Sequence, residues 1–471
     1  IANGFILPAR MLSIDAPKHQ LRSSVDFPLT KPYCLVIRIS LQLVIEAPFC
    51  EVLVGLPTKD GGCLQMDNRA ASELEGPLKG LRVIDAGMMI AGPLGCTLLA
   101  DFGADVIKIE TPNGGDAMRT RPPQKGPHSL WWKVIGRNKR TVTLNLSKPE
   151  GQEIFKQLVK DADIVVENFR PGTFERWGLG YDVLSAINPG LVFVRVSGYG
   201  QTGPYAKRGG YGTVAECFSG ITASSGFPDR PPTLLSIALS DSVAASFLSM
   251  AAMFAIYERD HSDAGLGQVI DVSLYEPLFR LAEAQTIGYD QLGEVRQKMG
   301  NRSTSDSPRN IYTTRDERYI SISASTQTSF DRLVEAMGRS EMARDPRFTD
   351  GFVRQDNADV LDEIIAQWFR EHDFDDISAR FEEGDVVHGP VLDIADIFKN
   401  PQYLARESII EVADADFGTV RMQNAIPFFS RTPGRVRHPG RGLGADNEEI
   451  YCGELGMTDD ALADFKDKGV I

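Results

Sequence analysis

Residues 81–200 carry apolar and polar blocks that predict strands and helices in alternation. Short apolar runs such as "LRVID", "DVIKIE", "DIVVENF" and "LVFVRVSG" predict strands buried on both faces. The segments between them, such as "GPLGCTLLADFG" and "PEGQEIFKQLVKDA", predict helices. Strands that alternate with helices indicate an α/β fold, with a mostly parallel sheet covered on both faces. Ligands of such sheets bind beyond the carboxyl ends of the strands.

The pattern changes towards both ends of the chain. Residues 1–65 show no clear helical period, whereas "RYISISA" alternates like a half-exposed strand and is followed by amphipathic helices such as "ADVLDEIIAQWFREH". A polar stretch at 298–310 indicates a linker, and strand-like pieces return after residue 389. The predicted organisation has an atypical extension, the first part of a large Rossmann-like domain, a small α+β domain with linkers, and a C-terminal segment that returns to the large domain: 1–65, 66–290, 291–388 and 389–471.

One long segment, 243–257, is apolar on every face and predicts a buried helix. A single carboxylate, Asp241, stands at its start, so this side chain is expected to be partly buried. Asp241 is either an N-cap, which would satisfy a free backbone N–H, or a nucleophile. No G-x-S-x-G elbow is present, and Cys217 is interpreted as a small core residue.

Composition narrows the class of protein. The 471 residues carry a formal charge of −14, which argues against binding to nucleic acids or membrane surfaces. The six cysteines form no C-x-x-C pair, so we expect no metal site, reduced thiols and a cytoplasmic location. No apolar run approaches the ~18 uninterrupted residues of a membrane-spanning helix.

Local charge departs from this acidic average. Residues 111–140 contain seven basic side chains, among them Arg140, against Asp116 alone, which suits a phosphorylated ligand or a solvated loop. Arg170 follows the strand in "VENFRPG" and is a further candidate. The glycines in "DAGMMIAGPLG" lack the G-x-G start of a dinucleotide fingerprint, so a tight turn is favoured over a nicotinamide site.

Several ordered blocks together resemble family III CoA-transferases, the group that includes formyl-CoA transferase and is related to alpha-methylacyl-CoA racemase. They include "LRVIDAG", "GRNKRTVTLNL", "VENFRPGTFERWGLGYDVLSAINPG", "GFPDRPPTLLSIALSDS" and "GLGQVIDVSLYE", and the resemblance runs from about residue 77 to residue 471. It implies a Rossmann-like large domain, a smaller domain inserted late in the chain, and a homodimer whose subunits interlock.

The resemblance also implies a mechanism and a site. Asp241 matches the covalent nucleophile, which would take CoA from an acyl-CoA and pass it to a free carboxylic acid. CoA would be a substrate, and no permanently bound cofactor is expected. The positions that match the coenzyme A site are Ala91, Leu144, Asn168, Phe169 and Arg176.

Two departures from the family narrow the substrate. The racemase branch has a His–Asp pair where this chain has Tyr211 and Gly212, and the glycine-rich loop of formyl-CoA transferase has no counterpart in residues 297–310. A CoA-transferase acting on small dicarboxylates is therefore predicted, with Tyr211 and Gly212 as candidate residues of the substrate pocket. Arg208 or Arg302 are candidate partners of a second carboxylate. An acyl-CoA racemase and a catalytically silent CoA-binding protein are the alternatives.

Overall fold

The computed structural model describes residues 75–471, so the predicted extension at 1–65 lies outside the described residues. Six parallel strands form the central sheet in the order β5-β2-β1-β6-β7-β8. Numbered among themselves, these strands follow the 3-2-1-4-5-6 order of the Rossmann fold. The predicted parallel sheet is therefore confirmed. The strands are β1 Arg82–Asp85, β2 Asp105–Glu110, β5 Lys139–Thr143, β6 Ile164–Glu167, β7 Val192–Ser197 and β8 Val269–Ser273.

Neighbouring residues of each strand enter two different cores, which explains the continuous apolar runs. Ile84 packs with α3 and α5 on one face of the sheet, and Val83 packs with α1 and α7 on the other. The helices of the first 300 residues are α1 Ala91–Asp101, α2 Leu130–Ile135, α3 Pro149–Val159, α4 Thr173–Arg176, α5 Tyr181–Ile187, α6 Gly212–Phe218, α7 Leu239–His261, α8 Glu276–Arg280 and α9 Gln285–Leu292.

Helix α7 packs closely against α1. A Cβ on Gly95 would lie 2.7 Å from a methyl carbon of Leu248, so any larger residue would force Leu248 to shift. Ser249 Oγ donates to the Gly95 carbonyl at 3.0 Å. Helix α7 is long and apolar enough to cross a membrane, but buried helices of globular proteins meet the same criteria of length and composition. Only 39% of the most apolar 18-residue segment of α7 is buried in the protein, and the side chains of Phe254 and Tyr257 are exposed.

A second, antiparallel sheet follows, in the order β11-β10-β9. It has its own core, in which Ile320 and Ile322 pack against Phe330, Trp368 and Phe369. This α+β layer was expected from the alternating and amphipathic patterns. Its elements are β9 Arg309–Thr313, β10 Tyr319–Ser323, α10 Gln327–Ala336, α11 Gly351–Asp356, α12 Ala358–Arg370, α13 Phe374–Glu383 and β11 His388–Pro390.

The C-terminal residues return to the central sheet. Tyr451 and Leu462 belong to the same core as Ile84, and Tyr451 Oη donates to the Thr143 carbonyl at 2.8 Å. The domain boundaries at 290 and 388 stay predictions. The remaining elements are α14 Ile394–Ile397, α15 Pro401–Ala405, β12 Ile409–Asp414, β13 Gly418–Gln423, a π-helix Glu448–Glu454 and α16 Asp459–Asp467, and a short hairpin, β3 Gln124–Lys125 and β4 His128–Ser129, precedes α2.

Candidate functional site

The carboxyl edge of the central sheet gathers most of the candidate residues. Helix α1 begins there because it follows β1, and α7 begins there because it leads into the start of β8. Asp241 in the first turn of α7 therefore lies on the same edge as Ala91, Leu144 and Asn168, which follow strand ends. This is the edge at which ligands bind in open parallel sheets.

The start of α7 is held in place by a neighbour of Asp241. Ser240 is fully buried, and its Oγ donates to the Leu274 carbonyl at 2.6 Å, beyond the end of β8. Ala238 occupies the N-cap position, and no side chain caps this end. The N-cap interpretation of Asp241 is therefore wrong.

Because Gly212 has no side chain, the Asp241 carboxylate can occupy the space beside it. A Cβ built on Gly212 would lie 2.2 Å from Asp241 Oδ2 and 3.1 Å from its Cγ. The next residue back, Tyr211, is 76% exposed. Of the two predicted pocket residues, Gly212 thus contacts the nucleophile candidate and Tyr211 faces outward.

The surroundings of Asp241 make its carboxyl group less acidic than an exposed aspartate. Burial raises the pKa of Asp241 to about 6, the negative charge of Glu216 adds to the rise, and a hydrogen bond from its own backbone N–H opposes it. Glu216 lies in α6, one turn after Gly212, and is 5% exposed. Sequence reasoning missed Glu216, although its spacing of four from Gly212 places both on one helix face. Cys217, beside it, is exposed, so its interpretation as a core residue is wrong.

The pKa of Asp241 predicts the acidic limb of the pH profile. The ionised carboxylate is the nucleophile, so kcat/KM should fall about tenfold per pH unit below pH ~6. Replacing Glu216 by glutamine removes a repelling charge and should move this limb to lower pH. We would measure initial rates of CoA transfer between pH 4.5 and 8; an unmoved limb in Glu216→Gln would contradict this electrostatic assignment.

A cavity of about 120 Å³ opens at the carboxyl ends of β1, β2, β5 and β6. Leu144 and Phe169 line it, as the resemblance implied, together with Met88 and Trp177. Phe169 is fixed by a hydrogen bond from its N–H to Glu167 Oε2 at 2.7 Å, and its ring packs edge-on against Trp177. Apolar and aromatic walls of this kind suit a flat base.

Asn168 anchors the loop between β1 and α1, which forms another wall. Its Oδ1 accepts from the Met88 N–H and its Nδ2 donates to the Met88 carbonyl, both at 2.7 Å. The next residue, Met89, has a left-handed φ of 65°, and its N–H donates to Asp116 Oδ1 at 3.1 Å. The loop is thus built before any ligand arrives.

Buried charges lie beneath this loop. Lys108 is fully buried, donates to the Gly87 carbonyl, and lies 3.1 Å from Asp116 and 3.6 Å from Asp85. Burial alone would lower the pKa of Lys108, but the carboxylates around it raise it, so the ammonium keeps its charge. Removing one partner would leave an uncompensated buried charge.

Replacing Asn168 by alanine should weaken CoA binding by about tenfold, because the Met88 backbone loses both hydrogen bonds. The matched control is Asn188→Ala at the opposite edge of the sheet. Asn188 also bridges backbone groups, donating to the carbonyls of Val159 and Ala162 at 3.0 and 2.7 Å. Isothermal titration with CoA should distinguish the two variants, because Asn188→Ala should lower stability without changing the affinity for CoA. Equal affinities in both variants would contradict the anchoring role.

Most of the basic stretch at 111–140 serves the fold. Five of its side chains pair with acids that are mostly distant in sequence: Arg119 with Glu110, Lys133 with Asp414, Arg137 with Asp101, Lys139 with Asp85, and Arg140 with Asp105. Arg140 also contacts Glu449 and Glu454 and lies at the amino ends of the strands. The structure does not bring Arg140 to the carboxyl edge, so its predicted coenzyme contact is unsupported.

The other arginine candidates differ in position. Arg170 is exposed at the carboxyl edge, where a Cβ on Gly209 would lie 3.4 Å from its Nη2. Arg176 is exposed and donates to Thr173 Oγ1 at 2.9 Å. Arg208 stacks on the Tyr205 ring at 3.6 Å, and Arg302 pairs with Asp359 and Asp362. Arg170 and Arg176 thus remain candidates for an anionic ligand, whereas Arg302 is already neutralised.

Comparison with known proteins decides the family. The family model for CoA-transferase family III matches residues 78–447. The chain belongs to CoA-transferase family III. The prediction made from the ordered sequence blocks is therefore confirmed, and this family III enzyme is a CoA-transferase rather than a dehydrogenase.

Relatives with named activities align along nearly their whole length. Succinyl-CoA–D-citramalate CoA-transferase of Chloroflexus aurantiacus is 44% identical over 84% of this chain and 98% of its own. The beta subunit of succinyl-CoA–L-malate CoA-transferase from the same organism is 40% identical over the same shares. Succinate–glutarate CoA-transferase of Agrobacterium fabrum is 30% identical over 80% of this chain and 95% of its own.

A solved structure agrees with the fold. The crystal structure of a CAIB/BAIF family protein from Brucella suis superposes with a TM-score of 0.72 and 30% identity, covering 80% of this chain and 99% of that one. The mixed α/β architecture with a central parallel sheet is therefore shared. Within residues 75–471, the structure holds no cluster of three or more acidic, histidine or cysteine side chains able to bind a metal.

Proposed function

We propose that this family III enzyme moves CoA from an acyl-CoA to a small dicarboxylic acid through a covalent intermediate on Asp241. The observation that carries the proposal is the placement of Asp241: partly buried, in the first turn of α7, against Gly212, on the edge that holds the coenzyme cavity. The names of its relatives, which transfer CoA to citramalate, malate or glutarate, support a dicarboxylate acceptor.

The chemistry starts with attack of an Asp241 oxygen on the thioester carbonyl carbon. The carbon–sulfur bond breaks, CoA thiolate leaves, and a mixed anhydride joins Asp241 to the acyl group. The thiolate then attacks the Asp241 carbonyl, which releases the first acid and leaves an aspartyl-CoA thioester. The incoming carboxylate reverses these steps and restores the Asp241 carboxylate. Each step exchanges acyl derivatives of comparable reactivity, so little net driving force is needed.

The fold offers electrostatic help at this position. Asp241 is the third residue of α7, so negative charge that develops on its carbonyl oxygen lies near the positive end of the helix dipole. Partial burial strengthens these interactions because less water screens them. The carboxylate is thus an adequate nucleophile near neutral pH and a good leaving group once acylated.

The coenzyme would bind along the carboxyl edge. The cavity lined by Leu144 and Phe169 would receive its base, with Asn168 holding the loop that starts at Met88. Ala91 is 2% exposed, so it would contribute the backbone at the start of α1 rather than a side chain. Arg170 and Arg176 would meet the phosphates from solvent.

We also propose the interlocked homodimer with a late-inserted small domain. Exposed apolar side chains are unusually many around α7 to α9: Met250, Phe254 and Tyr257 form one stripe on α7, and Ile287 and Leu292 lie on α9. An exposed apolar stripe of this kind marks an interface. Light scattering after size exclusion should report twice the chain mass, and Phe254→Glu should shift the protein towards monomer. A monomeric unmodified protein would contradict this assembly.

The activity is tested by incubating the enzyme with succinyl-CoA and a panel of dicarboxylic acids and identifying each CoA thioester by mass spectrometry. A new thioester, together with an enzyme whose intact mass rises by CoA minus water, supports the covalent route. Transfer without any enzyme adduct, even after rapid acid quenching, would count against Asp241 as the nucleophile. Deuterium entering the alpha carbon of branched acyl-CoAs with no new thioester would favour a racemase.

A further inference from the structure

A second cavity, of about 290 Å³, lies next to the start of α7. Leu239, two residues before Asp241, forms part of its wall, and Glu216 forms another part. Gly300 and Asn301 close one side, where the Gly300 N–H donates to the Gly226 carbonyl at 2.8 Å. The cavity therefore adjoins the nucleophile and is separate from the one lined by Leu144 and Phe169.

Glu216 enters this cavity without a partner. Residues 75–471 supply no hydrogen-bond donor or cation to its carboxyl group; Ser219 Oγ donates to the Glu216 backbone carbonyl instead, at 2.7 Å. The side chain is 5% exposed, and its charge acts on Asp241. Its carboxyl oxygens are not among the fully buried side-chain atoms that lack a partner, so they reach accessible space. A ligand that fills the cavity without bringing a donor would desolvate this carboxyl group at a cost, so a ligand that brings a donor is favoured there.

The other walls define what kind of donor fits. Thr222, Ser225, Thr233 and Asn301 add hydroxyl and amide groups, and Glu216 is the only charged residue among the described residues that line the cavity. A second carboxylate would find no cation here and would have to lie at the open side. A neutral hydroxyl group, by contrast, both donates to a carboxylate and accepts from side-chain hydroxyls.

We propose that this cavity receives a hydroxyl group of the acceptor acid and that Glu216 is a specificity-determining residue for hydroxylated dicarboxylates. The inference rests on the proposed transfer activity and adds the feature of the acceptor that the enzyme selects. Glu216 accepts the hydrogen bond from the acceptor hydroxyl, while the reacting carboxylate faces Asp241. An acceptor without the hydroxyl leaves the Glu216 carboxyl group desolvated and unpaired.

Three acceptors that differ in one group test the proposal: citramalate, 2-methylsuccinate and 2-methylaspartate, which carry a hydroxyl, a hydrogen and an ammonium group on the same carbon. With succinyl-CoA as donor at one pH, kcat/KM for citramalate should exceed that for 2-methylsuccinate by about tenfold or more. In Glu216→Leu, which keeps the side-chain volume, this ratio should fall to within about threefold of unity.

Glu216→Gln is the matched control, since its amide carbonyl still accepts a hydrogen bond while the charge is gone. It should keep most of the ratio. Because both acceptors use the same Asp241, the ratio cancels any change in the pKa of that carboxylate. Thermal unfolding checks the fold, and Glu216→Ala repeats the measurement if Glu216→Leu does not fold.

The possible results distinguish the role of Glu216 from the transfer activity itself. Transfer with a ratio near unity in the unmodified enzyme, or a ratio unchanged in Glu216→Leu, overturns the role of Glu216 alone. A preference for 2-methylaspartate would show recognition of a cation and also overturn it. If succinyl-CoA and each of the three acids yield no new thioester, the result contradicts the proposed transfer activity, and the role of Glu216 falls with it.

Discussion

Asp241→Ala should lower kcat for CoA transfer by about 10⁴-fold or more, because the covalent route loses its only nucleophile. Asp241→Asn should lose as much while keeping nearly the same shape. The affinity for CoA should change less than about threefold in both, since the coenzyme cavity is built from other strand ends. Single-turnover assays with succinyl-CoA and titration with CoA provide the two measurements.

Stability gives an independent readout for these variants. Burial raises the pKa of Asp241 to about 6, so its ionised form destabilises the folded state at pH 7. Asp241→Asn should therefore unfold at the same or a higher temperature than the unmodified protein. The matched control is Asp263→Asn, which should retain full activity. Asp263 is exposed and lies just past the end of the same helix.

Substantial turnover in Asp241→Ala would refute the assignment of Asp241 as the nucleophile.

Gly212→Ala should lower kcat by about 10²-fold while leaving the protein folded. The new Cβ would lie 2.2 Å from Asp241 Oδ2, so the carboxylate has to move away from its position. The atom displaced is the free end of a side chain, and the backbone can stay in place. A misplaced nucleophile is sufficient for a loss of this size.

Gly442→Ala is the matched control for this substitution, because a Cβ on Gly442 meets nothing within 4 Å. Rates of transfer and unfolding temperatures should be measured for both variants. Full activity in Gly212→Ala would show that the carboxylate does not need the position seen here. A large loss of unfolding temperature would instead indicate that Gly212 serves the packing of α6.

The local pattern of the chain predicted most of the elements. "DVIKIE" and "LVFVRVSG" became β2 and β7, and the uncharged run at 243–257 became the centre of α7. β5 was not predicted as a strand, because Lys139 and Arg140 interrupt its apolar residues. Both charges are tolerated there since they pair with Asp85 and Asp105, which are distant in sequence.

Some residues of the candidate site were predicted from the sequence and others were not, because several depend on contacts between distant segments. Asp241 was noticed as a single carboxylate at the start of an apolar helix, but this pattern alone left an N-cap open, and only the resemblance gave it the role of nucleophile. Arg140 was misplaced in the interpretation because a basic stretch shows no sign of which acids will neutralise it. Glu216 was overlooked because its significance depends on a cavity that it forms with Gly300 and Asn301, residues far along the chain.

The sequence by itself determined the alternation of strands and helices, the parallel sheet, the family and the identity of the nucleophile candidate, because each is encoded in short-range periodicity or in ordered blocks. Only the tertiary structure decided which charges are paired, that the Asp241 carboxylate occupies the space beside Gly212, and that Glu216 lines a cavity next to the start of α7. These are contacts between segments far apart in the chain, and they exist only once the sheet has brought its strand ends to a common edge.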